Sequence, residues 1–181
     1  MDDAFREPAL QFMIKRNHTE SGRIYFCTFT CLNWLYLFHI ANAYDEVYKW
    51  FKVLQQYENE IAGFVIMPNH VHVLVYIKNE QQSINTLLAN GKRFMAYEII
   101  KRLEKMGDVG TLAILEKAVT HAERMRNKKH RVFEISSDIK ACYTEKFIEQ
   151  KLNYIHYNLL QEKWKLATLP EPGFIQVLLI T

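Results

Sequence analysis

The chain has 181 residues, 49% of them apolar and 13% aromatic, which is enough to bury a sizeable core and excludes a disordered composition. Its formal net charge of +3 is compatible with a nucleic-acid partner but does not demand one. Cys27, Cys31 and Cys142 are odd in number and lack CxxC spacing, which argues against a disulfide framework and for a reducing, cytoplasmic setting. The opening MDDAFREPALQF does not have the pattern of a secretory signal. No run approaches the ~18 apolar residues of a membrane span, so no membrane association is expected.

Residues 1–20 read as a polar N-terminal lead-in with a small basic cluster at Lys15, Arg16 and His18. Arg23–Cys31 is aromatic and β-branched and predicts a strand. Over 43–57, Val47, Trp50, Phe51 and Leu54 recur at spacings of three and four, which predicts a helix. Residues 61–67 predict a second strand, Met67-Pro68-Asn69 a tight connection, and 70–77 a third strand antiparallel to the second. A long helix follows over 83–106, with Ile84, Leu87, Leu88, Met95, Ile99 and Leu103 on one side and a kink expected at Asn90-Gly91. Residues 107–130 suggest a short helix and then a basic run, a fourth strand is expected around Val132–Ile135, and 144–164 predict a last helix. This β-α-β-β-α-(β)-α order fits an α+β, ferredoxin-like (RRM-like) antiparallel sheet with one added helix. Fold alone assigns no function.

Side chains alternate along a strand, so Val71, Val73, Val75 and Ile77 share one face of the third strand, and His70, His72, Leu74 and Tyr76 the other. The aliphatic face belongs against the helices. The two imidazoles then point together toward the opposite, more open face, with Cα atoms about 6.5–7 Å apart. Such a pair can converge on one divalent ion, or it can be two half-exposed sheet histidines with no ligand. With 7 histidines in the chain, the spacing alone does not choose.

In the last helix Ile148, Leu152, Ile155 and Leu159 form one apolar stripe. Tyr154 and Asn158 fall well off its centre, on a ridge with Gln150 and Gln161. Tyr154 is thus either a boundary tyrosine with its hydroxyl in water or a reactive phenol one turn from an amide that can ligate a metal.

Met67-Pro68-Asn69-His70-Val71-His72-Val73-Leu74-Val75 resembles the His-hydrophobic-His motif of the HUH single-tyrosine transposases, and Tyr154-Ile155-His156-Tyr157-Asn158 resembles their tyrosine motif. The branch it is most similar to is that of the REP-associated tyrosine transposases, over roughly residues 23–166. The resemblance implies a single HUH domain over 21–166, with a C-terminal catalytic-tyrosine helix added to a sheet whose helices lie on one face. It implies Mg²⁺ or Mn²⁺ held by His70, His72 and Asn158, with Tyr154 as nucleophile and Tyr157 as a lower-ranked rival. The implied reaction is metal-dependent cleavage and strand transfer of single-stranded DNA through a 5′-phosphotyrosine. The implied partner is single-stranded DNA with a hairpin. Insertion-sequence relatives act as homodimers, whereas relatives in the REP-associated branch can be monomers.

Basic residues supply candidate phosphate contacts: Lys92 and Arg93 on the long helix, and Arg124, Arg126, Lys128, Lys129 and Arg131 in the densest run. Solvated helix faces are the plainer account of both groups. Tyr25, Phe29 and Tyr76 are candidates for base stacking or for the core. The chain departs from many relatives in having Asn158-Leu159-Leu160 where they have Asn-Pro-Val, and in its tail, 167–181. The alternative function is therefore a nucleic-acid-binding module that keeps the fold and has lost cleavage.

Overall fold

β1 (Arg23–Thr30) lies at the middle of the molecule, paired antiparallel on one side with β3 (His70–Ile77) and on the other with β4 (Asp138–Cys142). β2 (Glu60–Ile66) completes the sheet beside β3, giving the antiparallel order β2-β3-β1-β4. This is the expected ferredoxin-like arrangement. The structure, a computed structural model, describes residues 20–78 and 82–158. The lead-in cluster at Lys15, Arg16 and His18, and everything from Leu159 onward, including Gln161, Trp164 and the 167–181 tail, lie outside the described residues.

Two layers of side chains sandwich the sheet. On one face lie α1 (Leu37–Ile40), α2 (Tyr44–Gln56), α3 (Ile84–Met106) and α4 (Val109–Lys117). Val71, Val73, Val75 and Ile77 pack into this main core with Val47, Trp50, Phe51 and Leu54 of α2 and the expected apolar stripe of α3. A short helix, α5 (His121–Arg124), follows α4. On the opposite face α6 (Glu145–Asn158) lies across the sheet, and Ile155 closes a second, smaller core with Phe26, Val65, Met67, Leu74 and Cys142. All three cysteines are buried free thiols. Among the described residues no helix is long and apolar enough to cross a membrane.

Two expectations change. The fourth strand is not Val132–Ile135 but Asp138–Cys142. Val132 and Phe133 are apolar because they plug the main core, and Phe133 makes only an isolated bridge to Cys31. The true edge strand pairs only with β1 and alternates charged with small or apolar residues, as edge strands do. The kink at Asn90-Gly91 is also absent, since α3 runs unbroken from its Ser83 cap to Gly107, whose φ of 70° ends the helix. Gly91 serves a close approach instead. A Cβ there would fall 2.5 Å from the Trp50 indole, which is fixed by donating from Nε1 to the Leu87 carbonyl at 3.2 Å. Gly91→Ala is expected to destabilise the fold by about 1–3 kcal/mol through overpacking, read as a lowered Tm, despite the better helix propensity of alanine. The same α2–α3 contact is pinned by Arg102, which reaches both Asp45 oxygens at 2.7 and 2.8 Å and holds that carboxyl well below the usual range.

Candidate active site

The alternation of β3 carries His70 and His72 to the face that α6 covers. Thr28 of β1 stands opposite His72, and Thr30 opposite His70. The face is not open as expected: His70 is 3% and His72 5% exposed, because α6 and the turn carrying Trp34 lie over them. The two imidazole centroids are 4.7 Å apart. Burial pushes the pKa of His70 down to about 4. Burial, then the neighbouring His70 and Lys151, push that of His72 down to about 3. Both rings are therefore neutral near pH 7, the form that ligates metals.

Hydrogen bonds decide which nitrogen of His70 carries its proton. The Trp34 carbonyl can only accept, so it takes the amide NH₂ of Asn69 at 3.1 Å. That turns the Asn69 amide oxygen toward His70, 2.7 Å from Nδ1. The oxygen also can only accept, so Nδ1 carries the proton and Nε2 the lone pair. Asn69 is 1% exposed, and its backbone is held by the tight Pro68-Asn69 turn, where the Met67 amide donates to the His70 carbonyl at 2.8 Å. Trp34 has a left-handed backbone, φ 58°, a conformation that costs a bulky residue about 1–3 kcal/mol. Its indole stands at the rim of the site, 56% exposed and 5.6 Å from the His70 ring.

His72 is held in a similar way. Its Nδ1 lies 2.7 Å from the Thr28 hydroxyl, and its ring stacks on Phe26 with centroids 5.6 Å apart and planes within 14°. Its Nε2 is buried with no hydrogen-bond partner among the described residues. The Tyr154 ring stands edge-on to it at 5.1 Å, and edge-on to Phe26 at 6.0 Å. Tyr154 is 44% exposed. Tyr157 is 62% exposed and its ring meets His156, at 5.8 Å. Asn158, one helical turn beyond Tyr154, is 3% exposed, and its terminal amide nitrogen is buried without a partner among the described residues. Exchanging the amide ends would put an oxygen at that position.

Among the described residues, His72 and Asn158 each bury a polar side-chain atom without a hydrogen-bond partner, as Arg23 and Arg131 do at Nε, and such atoms normally find one. Among the described residues no three His, Cys, Asp or Glu side chains gather as a metal site. Two neutral imidazoles and an amide oxygen form a donor set that fits Mn²⁺ well and Mg²⁺ more loosely. His70, His72 and Tyr154 come together within one chain.

No protein-family model matches the chain, and neither does any curated protein. Among solved structures it is similar to a REP-associated tyrosine transposase bound to a REP hairpin, with 16% identity and a TM-score of 0.50 over 82% of this chain and 73% of that one. This chain has the fold of that transposase. At this identity the likeness is one of fold. A transposase candidate from Deinococcus radiodurans R1 is also similar, at 14% identity and a TM-score of 0.41 over 79% of this chain and 96% of the other.

On this transposase fold the anticipated DNA contacts are scattered. Lys92 donates to the Glu134 carbonyl at 2.8 Å and to the Ser137 hydroxyl at 2.9 Å, tying α3 to the segment before β4. The Arg93 guanidinium lies 5.0 Å from the ring of its neighbour Phe94. Arg131 pairs with Glu123, and Lys128 lies 2.8 Å from the same carboxylate. Arg124 donates to the Glu116 carbonyl at 3.0 Å. Arg126 and Lys129 are exposed. The run leads into Val132 and Phe133 in the main core, away from the Tyr154 face. Of the candidate stacking rings, Tyr25 and Phe29 are each 1% exposed and belong to the core, while Tyr76 is half-buried on the second face. Sequence pattern alone misses Asn69, Thr28, Phe26, Trp34 and Lys151 as members of the site.

Proposed function

We propose that this protein cleaves and rejoins single-stranded DNA, with Tyr154 as nucleophile and His70, His72 and Asn158 as ligands of a divalent ion, Mg²⁺ or Mn²⁺. One observation carries the reading: a half-exposed phenol stands against a buried histidine whose outer nitrogen has no partner among the described residues. The Tyr154 oxygen attacks a backbone phosphorus. The new O–P bond forms as the P–O3′ bond breaks, the phenol loses its proton to water, and the departing 3′ oxygen gains one. The strand keeps its 5′ phosphate on Tyr154, and a second 3′-hydroxyl reverses the step to rejoin it, with no nucleotide triphosphate consumed. When bound, the ion polarises the phosphate and offsets charge on its non-bridging oxygens.

The chain's own residues prepare this chemistry. Asn69 and Thr28 hold the imidazoles so that the Nε2 atoms are the ones offered. Trp34 and α6 limit the access of water to the histidines. Because Tyr154 serves the histidines of its own chain, one copy carries a complete set and a homodimer is not required. The hairpin bound to the structurally similar transposase supports a hairpin beside the single strand here as well, in a transposition or element-mobilising reaction. The buried free thiols fit a reducing cytoplasm.

The test is incubation with a single-stranded oligonucleotide and Mn²⁺, followed by denaturing electrophoresis. A protein–DNA adduct that resists denaturation and disappears with EDTA is expected. Salt-sensitive binding with no adduct under any divalent metal would replace this reading with the binding-module alternative.

A further inference from the structure

Lys151 precedes Tyr154 by three residues and so shares its side of α6. Its ammonium sits over three aromatic rings, 4.7 Å from the centroid of Phe26, 5.1 Å from Phe147 and 5.7 Å from Tyr154. Phe26 is the ring on which His72 stacks. The lysine is half-buried, and among the described residues no carboxylate pairs with it. Other basic residues of the chain are answered differently: Arg102 by Asp45, Lys128 and Arg131 by Glu123, Lys140 by Asp138 at 2.9 Å. Ring faces hold a cation in place but do not neutralise it. A fixed, partly desolvated ammonium beside a nucleophile, with no carboxylate against it among the described residues, is a site for an anion.

We propose that Lys151 is a substrate-binding residue that holds a non-bridging oxygen of the phosphodiester presented to Tyr154. The inference rests on the reading of Tyr154 as a DNA nucleophile and adds a contact made by the side chain itself. It also moves the electrostatics of binding from the 124–131 run, much of which is paired internally, to the face that carries the tyrosine. A lysine that merely covers apolar rings with its stem would look similar in place but would not sense the phosphate.

The experiment measures binding of a fluorescent single-stranded oligonucleotide to the full chain across a sodium chloride series, with EDTA present so that no cleavage intervenes. Wild type, Lys151→Met, Lys151→Arg and the ion-paired control Lys140→Met are compared, each checked for folding by its melting curve, with Lys151→Gln replacing methionine if that variant does not fold. Loss of one phosphate contact should lower the slope of log affinity against log salt by about 0.7 for Lys151→Met. Arginine should restore the slope, and Lys140→Met should leave it unchanged. An unchanged slope in Lys151→Met, or an equal loss in Lys140→Met, would overturn the proposal. The adduct assay separates the two claims. A wild type that forms adduct while Lys151→Met keeps its slope overturns the lysine contact alone. A lost slope in Lys151→Met with no adduct from wild type supports the phosphate contact and overturns the cleavage reading.

Discussion

His72→Ala is expected to abolish high-affinity Mn²⁺ binding and to slow adduct formation by on the order of 10³-fold, the scale of several kcal/mol of lost charge stabilisation at the phosphate. The reason lies in what holds the ring. Thr28 occupies Nδ1, Phe26 stacks one face and the Tyr154 ring makes a T-shaped contact, so Nε2 is the ring nitrogen left to act. Alanine removes the donor and also leaves a cavity between Phe26 and Tyr154, so the variant should lose stability as well. His72→Gln separates the two effects, because it retains most of the volume while offering a poorer ligand. Isothermal titration with Mn²⁺ and the initial rate of adduct formation are the measurements. Thr28→Val, which keeps the imidazole but not its hydrogen-bond partner, should fall between wild type and His72→Gln. If His72→Ala binds Mn²⁺ as wild type does, the metal assignment fails.

Asn69→Ala should weaken Mn²⁺ binding by about 10–100-fold, although Asn69 offers no metal-directed atom, because its role is to orient a ligand. The chain of donors and acceptors runs from the Trp34 carbonyl through the Asn69 amide to His70 Nδ1. Removing the amide frees the imidazole to exchange tautomers and deletes the hydrogen bond from Asn69 to the Trp34 carbonyl, a loss of about 0.5–1.5 kcal/mol. It also loosens the left-handed turn at Trp34. Nitrogen-15 chemical shifts of the His70 ring report the tautomer directly and separate orientation from general destabilisation. Wild type should show a protonated Nδ1, and Asn69→Ala a mixture. Asn69→Asp keeps an acceptor for Nδ1 and loses the donor to Trp34, so it should recover the tautomer more fully than the melting temperature. A wild-type ring with its proton on Nε2 would contradict the orientation argument.

Periodicity is why so much of the architecture is legible in the amino-acid sequence. The valines at every second position of β3 determine both the strand and which face the histidines take, and the spacing of Ile84, Leu87, Leu88, Met95, Ile99 and Leu103 determines the buried side of α3. What pattern cannot supply is what lies across from a residue. Val132 and Phe133 read as a strand because a core plug and a ladder strand both need apolar side chains, and only pairing tells them apart. Gly91 reads as a kink because Trp50 is 41 positions away in the chain. The histidine face reads as open because the helix that covers it comes some 80 residues later.

Thr28 is invisible as a partner of His72 until the register of β1 on β3 is known. Basic residues count as charges in a sequence, but their carboxylate partners appear only in three dimensions, as Glu123 does for Lys128 and Arg131. Two members of the site do carry a local signal. Asn69 adjoins a candidate ligand in a turn that fixes it, and Lys151 is placed by helix geometry on the side of the tyrosine.

The most direct measurement is to map the DNA-bearing residue in the adduct formed with Mn²⁺. Trypsin cleaves after Lys151 and Lys163, so one peptide, 152–163, holds both Tyr154 and Tyr157, and fragmentation in the mass spectrometer distinguishes them. The account predicts a 5′-linked nucleotide phosphate on Tyr154, absent from the Tyr154→Phe protein and retained in Tyr157→Phe. A nucleotide on Tyr157, or no modified peptide from wild type with Mn²⁺, would contradict it.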